Sequence, residues 1–350
     1  MIKWMIYRRP AGLIVAAVVT ICNLTSAVAA QEYPSAVGIR AVLPDNQISN
    51  ASYFDLRLSP GDSQTVQLEI SNPHDKSVEA TVELNRASTG LNGTIIYNNT
   101  DTMDESMKYP ITQIARVTTS VVQIPAQDSA LVDIGIHMPK EPIDGVILGG
   151  LRVNAEFAGE TPSIEPPTGE GIQIKNKFAY VIGLKLSQTD DDVMPDFHLK
   201  NLAPGLVNHS TAVILNIQNS EPFIAKNMLF SARIFRKGAD DVIRELAKEN
   251  AEMAPNSNCD YVVDWGNTPI QPGTYRMLAR IQHEDQVWEW DEEFTIGADK
   301  ADDVNAGALG LEKNAIPVWV YILGALLLIL VLLLILLLIR LGSKKKEQRD

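Results

Sequence analysis

The sequence predicts an all-β ectodomain of two immunoglobulin-like antiparallel β-sandwiches, carried by a single C-terminal transmembrane α-helix. Three observations lead there. Apolar and polar residues alternate with a period of two through most of residues 37–298, which puts one side of each strand in a core and the other in solvent. Turn-forming pairs such as Pro60-Gly61, Asn72-Pro73, Asn92-Gly93 and Pro272-Gly273 punctuate the alternation. Residues 316–339, IPVWVYILGALLLILVLLLILLLI, contain no charge. A helix of that length reaches roughly 36 Å at 1.5 Å per residue, more than the roughly 30 Å of a bilayer's hydrocarbon core.

Residues 1–30 read as a secretory signal. Lys3, Arg8 and Arg9 precede an apolar run from Ala11 to Ile21, and Ala27-Val28-Ala29 supplies small residues for cleavage after Ala29 or Ala30. Cys22 follows the bulky Ile21, which disfavours a lipid-modified start. Cys259 is then the one cysteine of the exported part, so no intrachain disulfide forms there. An exported chain of this size without cystine staples points to a bacterial surface rather than an animal receptor. On that reading the Asn-x-Ser/Thr matches at Asn50, Asn92, Asn98 and Asn208 are chance.

Residues 31–160 form the first expected sandwich. Val66, Leu68 and Ile70 alternate with polar neighbours, as do Val78, Ala80, Val82 and Leu84, and Val132, Ile134 and Ile136. Residues 62–84 look like one hairpin whose loop is Ser71–Ser77. Gly149-Gly150 suggests close backbone packing or a bulge in a strand. Residues 160–171, ETPSIEPPTGEG, read as a linker. Residues 161–298 form the second unit, but its start is open. The strand signal over 174–186 belongs either to it or to the first sandwich, with a hinge near Asp190 in the second case. The Asp190-Asp191-Asp192 run lacks the spacing of a calcium loop and reads as solvated linker.

In the second sandwich, Tyr275, Met277, Ala279 and Ile281 share one face, as do Trp288, Trp290, Phe294 and Ile296. Residues 242–253 fit a helical period in part, though strand and turn are expected. Residues 299–315 make a short stalk, 316–339 the membrane span and 340–350 a basic cytoplasmic tail, with Trp319 and Tyr321 at the outer interface.

The chain carries 30 Lys and Arg against 43 Asp and Glu, a net charge of −13. The signal and tail are basic, so the exported part is more acidic still. Long-range attraction to nucleic acid or anionic lipid is excluded as the basis of function. The histidines lie far apart at 74, 137, 198, 209 and 283, and no His-Glu-x-x-His, Gly-x-Ser-x-Gly or phosphate-binding glycine loop occurs. No enzyme activity, metal or cofactor is expected.

Pro44-Asp45-Asn46-Gln47, Tyr53-Phe54-Asp55-Leu56, Pro60-Gly61, Asn72, Ala87, Thr89, Asn92-Gly93, Tyr97 and residues 144–150, DGVILGG, occur in an order that resembles the first extracellular domain of WxL-interacting proteins of Gram-positive bacteria. Asn250, residues 253–257 (MAPNS), residues 272–275 (PGTY), Trp288, Phe294 and Ile296 resemble the second domain of the same family. The resemblance implies peptidoglycan binding by the first domain and host binding by the second. It also implies WxL-domain surface proteins as partners, and a single-pass protein whose ectodomain stands in the cell wall. No Trp-x-Leu occurs, so the chain is the interacting partner rather than a WxL protein.

On the residues that carry the resemblance, Gln47, Asp55 and Asn92 offer hydrogen bonds suited to sugar hydroxyls and peptide amides. Tyr53 and Tyr97 offer faces for stacking on a sugar ring. These five are the candidate ligand-binding residues. Each also has a structural reading: Asn92-Gly93 is a strong hairpin turn signal, and one of Tyr53 and Phe54 must face the core.

Overall fold

A computed structural model describes residues 37–91, 93–98, 102–158, 179–190, 193–311 and 322–335. The signal region, the linker around 160–171, and Asn92 lie outside the described residues. Of the expected membrane span, 322–335 are described and helical. Residues 316–321 and 336–339 lie outside, and among the described residues no helix is long and apolar enough to cross a membrane.

The first sandwich packs two sheets. One has the order β1(Gly38–Val42), β3(Ser63–Ser71), β8(Ser129–His137), β6(Ala115–Val117). The other has the order β2(Phe54–Arg57), β10(Ala179–Ser187), β9(Val146–Phe157), β4(Val78–Gly90), β5(Thr94–Tyr97), with β7(Val121–Ile124) also paired to β4. Pairing is antiparallel except between β2 and β10. The alternation does what it implies: Val66, Leu68 and Ile70 face Val132, Ile134 and Ile136 on the inner side of the first sheet, and all six are buried. Each such side chain is worth about 1.5–3 kcal/mol when removed from water. A one-turn helix, α1(Ile111–Ile114), adds Ile111 and Ile114 to this core.

β3 and β4 do not form the expected hairpin, since they belong to different sheets. The Ser71–Ser77 connection is a corner from one sheet to the other, and Asn72 builds it. Its buried amide donates to the carbonyls of Lys76 (2.8 Å), Pro125 (2.8 Å) and Ile124 (3.2 Å), while its Oδ1 accepts from the His74 N–H at 3.0 Å. These bonds satisfy carbonyls that the departing ladder leaves unpaired.

β10 places residues 179–187 in the first sandwich, paired with β9 from Ala179↔Asn154 to Ser187↔Val146. Arg57 then pairs with Asp190, where the chain leaves for the second sandwich.

The second sandwich packs β11(Phe197–Val207), β12(Ser210–Asn219), β15(Ser257–Asp264) against β14(Val242–Met253), β13(Ala225–Arg236), β16(Gly273–His283), β17(Gln286–Ile296). Residues 242–253 are thus strand throughout. The β12-to-β13 corner repeats the first domain's device. Asn219, fully buried, donates to the carbonyls of Phe223 (2.8 Å) and Ala254 (3.1 Å) and accepts from the Glu221 N–H at 3.4 Å. Phe230 stacks on Tyr261 at the core's centre, with ring centroids 3.8 Å apart.

The expected stalk begins with a helix, α2(Ala298–Gly307), that closes one end of this sandwich. Ala301 and Val304 join the core, and the Asn305 side chain bonds both the N–H and the carbonyl of Ile270. Small apolar residues three apart give a helix one side narrow enough to lie on a sheet end.

Candidate functional site

The outer face of the first domain's β10–β9–β4–β5 sheet carries an aromatic shelf. Gly150 and Gly183 are register partners across β9 and β10. A Cβ on Gly150 would lie 2.8 Å from Cγ and Cδ1 of Tyr97 and 2.8 Å from Cγ1 of Val181. A Cβ on Gly183 would lie 3.5 Å from Cβ and Cγ of Tyr53. The two tyrosines therefore rest on glycine backbone, Tyr97 over β9 and Tyr53 over β10. A side chain at 150 would collide with the Tyr97 ring, whereas a Cβ at 183 would meet Tyr53 at ordinary contact distance.

Local chemistry fixes each ring. Tyr53 immediately precedes β2, and its carbonyl accepts from the Gln47 side chain at 2.8 Å. The same Gln47 amide accepts the Asp55 N–H at 3.2 Å. Gln47 therefore splints the approach to β2 with one bond from each end of its amide. Phe54 turns inward and is fully buried, and Tyr53 turns outward with 36% of its surface exposed. Tyr97 ends β5, opposite Ala87 of β4. The Asn85 amide donates to its carbonyl at 3.3 Å.

Asp55 is buried beside Lys185, its register partner on β10, with Oδ1 to Nζ at 3.0 Å. The pair braces the shelf's edge, and the carboxylate faces no open ligand space. Of the five candidate residues, Tyr53 and Tyr97 share the shelf, and Gln47 and Asp55 support it. Asn92 lies outside the described residues.

The second sandwich docks beside Tyr97. Ala87, Leu148 and Ala254 form a small buried cluster against which Tyr97, Ile95 and Ile224 pack. The Glu252 N–H donates to the Gly93 carbonyl at 2.8 Å. Burial raises the Tyr97 hydroxyl's pKa above its ordinary value, and the nearby Tyr53 and Glu252 raise it further. The ring thus presents a neutral phenol, able to donate, at any ordinary pH.

The joint is polar at its centre. The Thr89 and Ser257 hydroxyls are 2.6 Å apart, and Thr89 Oγ1 accepts from the Ala254 N–H at 2.9 Å. Asp104, only 8% exposed, accepts from Gln218 Nε2 and Asn258 Nδ2 of the second sandwich, each at 2.7 Å. It also accepts from the backbone and hydroxyl of Ser106. Burial pushes the Asp104 carboxyl up, but the bonds from Asn258, Ser106 and Gln218 outweigh it and hold the pKa below its ordinary value. Gly145, in a left-handed turn at φ 77°, lets its strand approach Pro222, whose carbonyl leaves no room for a Cβ there. Beside this contact a cleft of ≈ 430 Å³ opens between Tyr109, Pro110 and Ile143 on one side and Glu221, Pro222 and Pro255 on the other.

Three contributors were not singled out in the sequence as parts of a site. Gly183 has no signal beyond an interrupted alternation. Val181 looks like any strand residue. Glu252 belongs to the other domain, so only the fold brings it near Tyr97. Gly150 had a signal, the paired glycines at 149–150. Among the described residues no cluster of His, Cys, Asp or Glu is arranged to hold a metal ion.

Comparison with known proteins also finds two domains but divides them earlier in the chain, so that β10 falls in the second match. Residues 38–155 match the family profile described as WxL Interacting Protein, peptidoglycan binding domain, and residues 169–306 match WxL Interacting Protein, host binding domain. No curated protein matches the chain. Solved structures to which the chain is similar include the E. coli chaperone DraB, at 13% identity over 75% of this chain and 96% of that chain with a TM-score of 0.29. Another is the CsuC-CsuE chaperone-tip adhesion subunit pre-assembly complex of Acinetobacter baumannii, at 9% identity, 65% and 89% coverage and a TM-score of 0.30. A third is the Salmonella enterica SafA pilin in complex with the SafB chaperone, at 13%, 73% and 96% coverage and 0.27.

Proposed function

The chain belongs to the WxL-interacting protein family, and from that premise we propose that it is a non-enzymatic adaptor of the Gram-positive cell surface, with a peptidoglycan-binding first domain and a second domain that binds a WxL-domain protein or a host ligand. The family's two binding domains, present in order, support the adaptor reading. The observation that carries the site is the Tyr53–Tyr97 shelf over Gly150 and Gly183. Flat aromatic faces on glycine backbone suit the apolar face of a sugar ring, and phenol hydroxyls at the margin suit its hydroxyls and acetamide. Affinity without a basic groove suits an acidic chain, since stacking and hydrogen bonds need no net attraction.

The charge-free run 316–339, followed by Arg340, Lys344, Lys345 and Lys346, is the basis for placing the chain as a single-pass membrane protein with its C-terminus cytoplasmic. On this reading the second sandwich stands next to the membrane, because α2 ends at Gly307 only a few residues before that run. The first sandwich is held farther out, toward the wall.

Co-sedimentation with purified peptidoglycan tests the reading. The full chain in detergent is expected to pellet with the wall, and Tyr53→Ala with Tyr97→Ala to weaken wall binding about tenfold, from roughly 0.7 kcal/mol per lost stacking contact. Pull-down with a purified WxL-domain protein tests the second arm. No enrichment in either assay overturns the adaptor reading. Release of labelled fragments from peptidoglycan would replace binding with hydrolysis.

A further inference from the structure

The second sandwich ends in four sheet edges, and three of them are guarded. β11 contains Pro204 and a bulge between Leu199 and Asn201. The pairing of β14 with β13 slips at three places along its length. β15 lies against the first sandwich, with Cys259 Sγ donating to the Gly90 carbonyl at 3.0 Å. β17 is different. It pairs with β16 in one unbroken register, from Gly273↔Ile296 to His283↔Gln286, and contains neither proline nor glycine. Phe197 and Asp196, at the start of β11, pack against Trp288 at one end of this strand; along the rest, a straight edge of this kind presents a row of N–H and C=O groups to any strand that can lie beside it.

The two faces of β17 have different chemistry. On the outward face, Glu289, Asp291 and Glu293 are each paired with a cation of the same sheet or of the turn that follows β13. Arg276 makes two bonds to Asp291 at 2.7 and 2.6 Å, Lys237 reaches Glu293 at 2.7 Å, and Arg280 reaches Glu289 at 3.6 Å. On the core-facing side the row runs Trp288, Trp290, Glu292, Phe294, opposite the buried Ile281, Ala279, Met277 and Tyr275. Trp288, Trp290 and Phe294 are half-buried at the rim of the core. Glu292 interrupts this apolar row as an exposed carboxylate with no ion pair among the described residues.

We propose that β17 is the partner-docking edge: it takes up an extended segment of a protein partner as an added strand, with an apolar side chain against Trp290 and a Lys or Arg against Glu292. The proposal deepens the partner-binding reading and rests on it. Main-chain pairing would supply affinity, and the alternating side-chain sites would supply selection. Pairing of two copies edge to edge is disfavoured by the same strand. It carries four acids and no base, so antiparallel self-pairing would set like charges against one another.

The test uses the full chain in detergent at physiological salt and three short fluorescent probes. In one peptide every second residue is threonine and the residues between them, which share a face, run valine, lysine, valine, valine to match Phe294, Glu292, Trp290 and Trp288; the second has glutamate in place of that lysine, and the third is the first with alternate backbone nitrogens methylated. The first is expected to bind. The second and third are expected to bind at least about tenfold more weakly than the first; tested against the first, Glu292→Gln should weaken binding about threefold and the charge reversal Glu292→Lys about tenfold. Glu292 is exposed, so neither substitution disturbs the core. Equal binding of the methylated probe overturns strand addition, and unchanged affinity in both variants overturns the role of Glu292. Capture of a WxL-domain protein is measured alongside. Capture without probe binding overturns the β17 edge alone, whereas probe binding without capture overturns the partner reading and leaves the edge standing.

Discussion

Gly150 and Gly183 stand opposite each other across β9 and β10, yet the rings above them sit at different heights. Tyr97 would be 2.8 Å from a Cβ on Gly150, and Tyr53 3.5 Å from one on Gly183. The first distance is a collision with a half-buried ring and with Val181, and the second is ordinary contact. Gly150→Ala is therefore expected to displace Tyr97, destabilise the protein by about 1–3 kcal/mol and weaken wall binding. Gly183→Ala should be nearly neutral in both. Thermal unfolding and peptidoglycan co-sedimentation of the two variants check this, and equal behaviour would remove the shelf as the binding element.

A second prediction concerns Asn72. Its side chain satisfies three carbonyls and one N–H at the β3–β4 corner from a 2% exposed position. Asn72→Ala leaves those groups without a partner, at a cost of about 2–3 kcal/mol. Asn72→Asp should cost more, because a carboxylate would face carbonyl oxygens. Asn219→Ala should behave like Asn72→Ala in the second sandwich. Denaturant titration of the variants measures each.

The same corner shows where sequence reading stops. Residues 62–84 carry two alternating runs around a polar connection, and that pattern is common to a hairpin and a sheet-to-sheet corner. The difference lies in Ile124 and Pro125, far along the chain, whose carbonyls Asn72 serves. Local signals succeeded where the cause is local. Tyr53 and Phe54 had to take opposite faces, and the pair at 149–150 announced close packing. The shelf's other glycine, the Glu252 carboxylate and the joint at Asp104 depend on contacts between residues more than a hundred apart. No period or spacing records those.

Asp104 should make the joint pH-sensitive. Its folded-state pKa is lowered, so the stability it contributes is fully present above its unfolded value near 3.9. That stability is lost as pH falls through the lower folded value, when the protonated acid no longer accepts from Gln218, Asn258 and Ser106 together. At neutral pH the joint is intact. Asp104→Asn keeps the shape but forfeits charge-assisted bonds, each worth about 1.5–3 kcal/mol. It should separate the unfolding of the two sandwiches in calorimetry at pH 7 and abolish the acid-dependent part of the change. A single unaltered transition in the variant would show that the apolar contacts at Ala254 hold the joint alone.

Tyr261 makes the last prediction, in the opposite pH range. Its ring is fully buried and stacked on Phe230, and its hydroxyl has no hydrogen-bond partner among the described residues. Burial, with a smaller push from Cys259, raises its pKa far above the ordinary value. The unfolded tyrosine ionises near pH 10 while the folded one stays neutral. The stability this difference contributes is fully present below pH 10 and is lost as the pH climbs beyond it. Tyr261→Phe removes an oxygen that is desolvated without compensation, so it is expected to stabilise the protein by about 1 kcal/mol at pH 7. It should also flatten the fall in stability above pH 10. Urea unfolding of both forms across the alkaline range measures the two effects, and a loss of stability at neutral pH would mean that the hydroxyl has a partner in the folded protein.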